Sequence, residues 1–479
     1  MQEQAGSADC RVVYVDLDGT LINTDMLWES LAATLRRAPW RVLALPFWLL
    51  RGRAFLKAKL ASLGQPDVKV LPVNAELLEY LKGRAAAGCE IVLATAAAQS
   101  LAQAFANHMK IFARVLTSSD SQNLKGAAKA KAIQADSAGR PWAYCGDSSA
   151  DLAVWSHAAE AVVVSASSSV ERSAASVTRV VQTFPYKGGG LKAYIKAVRV
   201  YQWLKNALVF VPLIAAHIWT SPSAILAAVS AFFAFSLCAS GIYLVNDLVD
   251  LDADRMHPRK RFRPMAAGTV PLSHAMVLAP ILVVAGLAIA GLTSLPLLGI
   301  TALYLVCTSV YSFGLKTFVL ADAIMLGGLY TLRILGGAVA VQVVPSFWLL
   351  AFSMSMFLSL ALIKRCSELG TLASLQRESA EGRDYRVADY TVLQSIGVSS
   401  GLGAVLVFAL FVNSEHVAEQ YSRPYVLWLL CGTILYWISR MWIKTARGEM
   451  HDDPLLYAAR DKTSLAIAVL SGIILFASL

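Results

Sequence analysis

The sequence predicts an α/β domain with a small helical cap, followed by an all-α membrane bundle of nine transmembrane helices. Three observations predict it. The 479-residue chain is 57% hydrophobic with a mean hydropathy of +0.55, too apolar for soluble domains alone. Residues 11 to about 184 alternate short β-rich runs with Ala/Lys-rich helical stretches, the rhythm of a parallel sheet with crossover helices. The remainder is a succession of apolar stretches, each near the ~20 residues that a bilayer requires.

Val12-Val13-Tyr14-Val15, Ile91-Val92-Leu93 and Ala161-Val162-Val163-Val164 supply strands of the α/β domain, placed at 1–185. Between the first two lies an insertion rich in Trp28, Trp40, Phe47 and Trp48, interleaved with Arg36, Arg37, Arg41, Arg51 and Arg53. Its 38–50 core is too short to span a bilayer, so it reads as a helical cap over about 26–90. That cap either packs as an ordinary lid or also rests on the membrane or the second domain. Pro185-Tyr186-Lys187-Gly188-Gly189-Gly190 then breaks the pattern. An interfacial linker helix is expected over 186–203, where Lys192, Lys196 and Arg199 mix with Tyr194, Tyr201 and Trp203.

The bundle is expected over 204–479, with spans at about 204–219, 222–247, 272–292, 294–313, 318–342, 346–365, 391–413, 425–443 and 462–479. Lys and Arg crowd the loops near 246–271, 314–317, 364–390 and 440–462, whereas the opposite loops hold only Arg423. The positive-inside rule therefore puts the crowded loops and the first domain in the cytosol of a multi-pass inner (plasma) membrane protein. The polar start, Met1 to Asp9, carries no apolar leader and fits that orientation. The net charge of +10 lies beside apolar spans, which disfavours a nucleic-acid module. Seven scattered cysteines without a CxxC pair indicate neither a zinc site nor a disulfide framework.

Chemistry concentrates first at Asn246-Asp247-Leu248-Val249-Asp250-Leu251-Asp252-Ala253-Asp254, at the end of an apolar stretch. On a helix, Asp247, Asp250 and Asp254 are three and four apart and share a face. With Asn246 they offer oxygens to a hard cation, and Mg²⁺ prefers carboxylates together with substrate phosphates. The following Arg255, His257, Arg259, Lys260, Arg261 and Arg263 suit the anion itself. The string predicts a metal-pyrophosphate site at a membrane surface.

A second constellation lies in the first domain. Asp16 and Asp18 follow the first strand, Thr95 follows Ile91-Val92-Leu93-Ala94, Lys129 closes Asn123-Leu124-Lys125-Gly126-Ala127-Ala128-Lys129, and Asp147 and Asp151 lie in Gly146-Asp147-Ser148-Ser149-Ala150-Asp151. In this order they resemble the haloacid-dehalogenase (HAD) phosphatases, with a Rossmann-like fold, over about residues 10–184. The resemblance implies Asp16 as nucleophile, Asp18 as general acid and base, and Thr95 with Lys129 (Lys125 less so) on the phosphoryl oxygens. It implies a magnesium site drawn from Asp16, Asp18, Asp147 and Asp151, in which Asp16 and Asp147 hold the ion and Asp151 supports them.

The aspartate string with its spans and cytosolic polar loops resembles the UbiA superfamily of intramembrane transferases over about residues 195–479. Tyr311, Lys316 and Asp322 form a further polar group, and Arg333 should face the interior, paired with an acid such as Asp322 or with substrate. Gln202-Trp203-Leu204-Lys205-Asn206, the 257–268 string and Gly448-Glu449-Met450-His451-Asp452-Asp453-Pro454 resemble one branch, the decaprenyl-phosphate phosphoribosyltransferases. This implies two substrates, phosphoribosyl pyrophosphate and a polyprenyl phosphate, with Mg²⁺ held by Asn246, Asp247, Asp250 and Asp254. Lys205, His257, Lys260, Arg263, Lys316, Lys364, Arg365 and Arg383 would serve the phosphates, and Glu368, Tyr385, Asp389 and Tyr390 the ribose or metal shell. The fused phosphatase would then remove the 5-phosphate left on the lipid-linked sugar. Competing readings are an aromatic-substrate polyprenyl diphosphate transferase with an unrelated phosphatase, and a non-catalytic membrane scaffold. A homo-oligomer is left open.

Overall fold

The computed structural model describes residues 11–118, 124–164, 167–185, 188–376, 378, 383–414, 417, 420–450 and 453–479. The polar start, Cys10, Asn123, the Tyr186-Lys187 pair, Arg377 and the His451-Asp452 pair lie outside the described residues, as does the Arg53 side chain. The chain forms two compact units, 1–198 with 243–279, and 199–242 with 280–479. The division is therefore not the single boundary near 185–204 that the sequence suggests: the aspartate string and its basic loop pack with the first domain.

The first unit is built on a six-stranded sheet in the order β3-β2-β1-β4-β5-β6, every pairing parallel. The strands are β1 (Val12–Val15), β2 (Glu90–Ala98), β3 (Arg114–Ser118), β4 (Trp142–Gly146), β5 (Glu160–Val164) and β6 (Arg179–Phe184). Helices cover both faces, so the strands read as near-continuous apolar runs. Val13, Val15, Leu93 and Cys145 enter one core and Val12, Tyr14, Val92 and Tyr144 the other. Chain order reverses between β1 and β4, and the carboxyl ends of these neighbours open the crevice in which such sheets bind ligands. Asp16 and Asp147 are the residues that leave those two ends.

Within the insertion, Asp25 caps the helix Met26–Arg37 by accepting the Leu27 N–H, and the Ala38-Pro39 step ends it. Short helices Leu45–Leu50 and Arg53–Leu63 complete the cap. The cap is smaller than the 26–90 expected from sequence, because Ala75–Ala86 buries Leu77 and Leu81 against Val13 and Val15 and so belongs to the sheet layers.

The 243–279 segment is bound to this cap by charge. Arg255 donates from both terminal nitrogens to Glu29, at 3.0 and 2.7 Å, and the two side chains are 4% and 1% exposed. Arg36 pairs with Asp252 at 2.7 Å. Gly268 sits at φ 71°, and a Cβ there would stand 2.3 Å from the Asn23 carbonyl oxygen, so both backbone and space require glycine.

Among the described residues, seven helices are long and apolar enough to cross a membrane. They are Pro222–Val249, Leu272–Thr293, Leu295–Phe313, Ala321–Ala340, Phe347–Ser374, Val387–Val412 and Pro424–Ala446. Seven of the nine expected spans meet that length, and the other two correspond to shorter apolar helices. Val200–Ala215 and Lys462–Ser478 are apolar helices of fewer than 18 residues, the former winding as a 3₁₀ helix over 200–210 before Pro212. In the second unit the core centres on Tyr330, Phe357, Leu360 and Met441.

Removing one partner of a buried ion pair strands the other charge. Glu29→Ala should therefore destabilise the first unit by about 3 kcal/mol, read as a lower melting temperature of the solubilised chain, whereas Glu79→Ala, whose pair with Lys82 is exposed, should leave it unchanged.

Candidate functional site

At the β1/β4 crevice, the Asp16 N–H donates to the Cys145 carbonyl at 3.0 Å, extending the strand pairing and fixing where the Asp16 carboxylate emerges. That carboxylate pairs with Lys129 Nζ at 2.8 Å. Lys129, delivered by the helix Ala127–Ser137, is 3% exposed and also donates to the Tyr144 hydroxyl at 3.0 Å. Tyr144 in turn donates to Asp151 at 2.9 Å. The other Asp151 oxygen accepts the Asp147 and Ser148 N–H groups and the Ser148 hydroxyl, which fixes the loop carrying Asp147. Lys125 is exposed, so of the two lysines the fold brings Lys129 to Asp16.

Asp16, Asp147 and Asp151 each place a carboxylate oxygen within 4.8 Å of the others. Burial pushes Asp16 up against the pull of Lys129. Burial, then the charges of Asp151 and Asp16, raise Asp147 to about 7. Three acids crowded beside one lysine are short of positive charge, and a hard divalent cation fits that deficit. Gly19 makes the approach possible: at φ 73°, a Cβ would lie 2.5 Å from Asp147 Oδ2.

Asp18 stands apart from this trio. Its carboxylate accepts the Met26 N–H at 2.9 Å at the start of the cap helix, and burial with the Asp25 charge raises its pKa well above the ordinary value. A carboxyl pushed upward in this way, and set apart from the acid trio, suits proton donation. Thr95, fully buried within β2, accepts the Ala97 N–H at 3.0 Å. Sequence reasoning missed Lys57, which the cap brings down to donate to the Ala96 carbonyl at 3.2 Å. Nothing in its local sequence sets it apart from other lysines.

The aspartate string forms a second cluster. Backbone bonds from Asp250 N to Asn246 O and from Asp254 N to Asp250 O carry helical spacing from Pro222–Val249 into Leu251–Met256. Asp247 and Asp254 are buried, and both pair with Arg263 Nη1, at 3.1 and 2.6 Å. Burial raises Asp254 against the pull of Arg263. Among the described residues these acids do not form a trio like that at Asp16. The Arg263 guanidinium neutralises two of them instead of facing outward for an anion. His257 and Lys260 lie exposed, and His257 Nδ1 accepts the Arg259 and Lys260 N–H groups. Asn246 and Asp250 are half-buried beside the pair.

In the second unit, Lys205 Nζ pairs with Asp453 at 2.6 Å, and Lys364 approaches the same oxygen at 3.8 Å. They line a cavity of about 40 Å³ with Tyr330, over whose ring Lys205 sits at 5.7 Å. Burial would raise Asp453, yet the two lysines hold it below the usual carboxylate range. Arg365 joins Asp322 and Glu368, each at 2.6 Å, and donates to the Tyr311 hydroxyl at 3.1 Å. Arg383 reaches Glu368 at 2.8 Å, and Tyr385 donates to Asp322. Asp389 caps its own turn by accepting the Arg386 N–H, with Tyr390 following it, and Lys316 lies in the short turn Leu315–Thr317.

Arg333 corrects the expectation of an acidic partner. It donates to Asn206 Oδ1, the Leu329 carbonyl and the Tyr304 hydroxyl at 2.7, 2.6 and 2.9 Å, while Asp322 belongs to Arg365. Three neutral acceptors and two flanking tyrosine rings offset its burial. Asn206 and Asp453, quoted in motifs but given no role from sequence, thus accept from Arg333 and Lys205.

Together these clusters define an integral membrane enzyme with a hydrolase domain at its N-terminal side. Residues 207–449 match the UbiA prenyltransferase family and residues 13–156 the haloacid dehalogenase-like hydrolases. The chain belongs to the UbiA prenyltransferase family and carries a HAD-like domain before it. It is 36% identical to uncharacterized protein y4nM of Sinorhizobium fredii over 458 residues, 95% of this chain and 88% of that one. It is likewise 36% identical to nodulation protein NoeC of Azorhizobium caulinodans over 281 residues, 57% of this chain and 88% of that one. Over 179 residues, 36% of this chain and 56% of the other, it is 41% identical to decaprenyl-phosphate phosphoribosyltransferase of Mycolicibacterium smegmatis.

The acid trio sets a pH dependence. Asp147 holds its proton to about 7 when folded, against 3.8 ordinarily. In EDTA its stabilising contribution should be complete below about pH 4 and lost as pH rises through about 7. Mg²⁺ should remove that loss, so the melting-temperature gap between Mg²⁺ and EDTA should widen from pH 5 to pH 8. Asp147→Asn should narrow it.

Proposed function

We propose that this enzyme transfers 5-phosphoribose from phosphoribosyl pyrophosphate to a polyprenyl phosphate and that its HAD domain removes the 5-phosphate, yielding polyprenyl-phosphoribose. The carrying observation is the presence on one chain of two matched chemistries. A UbiA-family bundle related to phosphoribosyltransferases would make a phosphate monoester, and the Asp16, Lys129 and Asp147 crevice suits its hydrolysis. Prenylation of an aromatic ring leaves no such monoester. The basic loops support a cytosolic position for both sites in the inner membrane.

For the transfer, a lipid phosphate oxygen attacks the ribose anomeric carbon and pyrophosphate departs. The lipid phosphate is already nucleophilic, so the residues' task is positioning and charge compensation. Lys205 and Lys364, which now share the Asp453 carboxylate, suit a phosphate in exchange for it. Asp247 and Asp254, with Asn246 and Asp250, are the candidates to hold the ion, and Arg263, released from them, would meet the pyrophosphate. Mg²⁺, on which both families depend in general, supplies neutralising charge to phosphate oxygens when bound.

For the hydrolysis, the Asp16 carboxylate attacks phosphorus while Asp18 gives its proton to the departing 5-oxygen. Asp18 then takes a proton from the water that attacks the Asp16 acyl phosphate, which returns both carboxyls to their starting state. Lys129 offsets the charge at Asp16 throughout.

Purified enzyme given Mg²⁺, phosphoribosyl pyrophosphate and polyprenyl phosphate should yield polyprenyl-phosphoribose by mass, and Asp16→Asn should accumulate the 5-phosphorylated lipid. Consumption of a polyprenyl diphosphate with indifference to phosphoribosyl pyrophosphate would overturn the reading. Lys205→Ala should raise the KM for polyprenyl phosphate about tenfold or more, the effect of losing a charged hydrogen bond.

A further inference from the structure

We propose that the cap seats the hydrolase crevice on an anionic bilayer surface, with Trp40, Phe47, Leu49 and Leu50 entering the headgroup layer. This rests on the reading that the phosphate to be removed is borne by a lipid. The four side chains are 66%, 70%, 54% and 85% exposed on consecutive short helices. An apolar rim of this size in water is an interaction surface.

Its charge selects the occupant. Exposed Arg37, Arg41 and Arg51 surround the rim, and the sequence holds no Asp or Glu between Glu29 and Asp67. Aromatic and leucine side chains among arginines, without acids, match an anionic lipid surface. The attachment points agree. Arg36 and Glu29 fix the cap to Asp252 and Arg255, and these residues directly continue the membrane-spanning helix Pro222–Val249. The same unit repeats the chemistry: Leu191 and Ile195 are exposed beside Lys192 and Lys196, and Lys196 donates to the carbonyl of exposed Phe262. At its other edge the cap delivers Lys57 to the Ala96 carbonyl, beside Thr95. One small structure thus links the lipid-compatible rim to the crevice.

The full chain, reconstituted in vesicles of phosphatidylethanolamine and phosphatidylglycerol, tests this without any turnover. Phe47→p-benzoylphenylalanine and Leu50→p-benzoylphenylalanine should give phospholipid adducts on illumination, and the same change at exposed Ser169 should give none. Adducts to a second copy, adducts to another protein, or no lipid adducts at 47 and 50 would overturn the proposal. In a second arm, the triple variant Trp40→Ser, Phe47→Ser, Leu50→Ser should lose about tenfold or more in kcat/KM on a vesicle-borne phosphate monoester, while p-nitrophenyl phosphate hydrolysis stays unchanged. Equal retention on both substrates would overturn it. Lipid adducts without hydrolysis of any lipid phosphate would leave the seating intact and sink the phosphatase reading instead.

Discussion

Carboxylates held away from water are the constraint on which the rest of this molecule depends. Each must find a cation, and the identity of that cation tells what the site is doing. Glu29 is answered by Arg255, Asp322 by Arg365, and Asp453 by Lys205 and Lys364. Asp16 receives Lys129, but among the described residues Asp147 and Asp151 have no ion pair with a lysine or arginine, and burial together with the charges of Asp151 and Asp16 raises the Asp147 pKa to about 7. Where fixed side chains complete the charge balance, the group is structural or awaits exchange. Where they do not, the fold leaves room for an ion.

The two candidate centres solve this differently. The hydrolase crevice is organised by backbone: sheet pairing positions Asp16, and three donors to Asp151 hold the Asp147 loop. The aspartate string relies on Arg263, a flexible side chain that can exchange one anion for another, to neutralise Asp247 and Asp254. The Lys205 and Lys364 pair uses Asp453 in the same way. Preorganisation dominates one centre and exchangeable pairing the other, as expected if one handles a single phosphoryl group and the other several anions.

Much of this was legible in the sequence because the informative residues are close together in the chain. Asp16 and Asp18 with the 146–151 loop are local patterns recognisable by their resemblance to the HAD phosphatases, and the shared helical face of the 246–254 string follows from its spacing. The α/β character and the apolar helices follow from periodicity and composition in the same manner. Long-range partnerships were not legible. Nothing near Arg333 announces Asn206 and Tyr304 as its acceptors, and the sequence offered Asp322 as a nearer acid. The cap limit was missed because Leu77 and Leu81 sit in a helix whose pattern is compatible with either layer. The 3₁₀ winding of Val200–Phe210 was not legible either, because hydropathy does not distinguish it from an α helix.

The pairing of Arg255 with Glu29 also constrains how such a chain could be divided in evolution. A free-standing bundle that kept this arginine but lacked the preceding domain would expose a guanidinium built for a water-excluded partner. It would need a new acid from its own loops or a neutral residue at 255. The two domains are therefore joined by mutual electrostatic dependence as well as by peptide linkage, so separation of the genes would call for compensating change on both sides of the break.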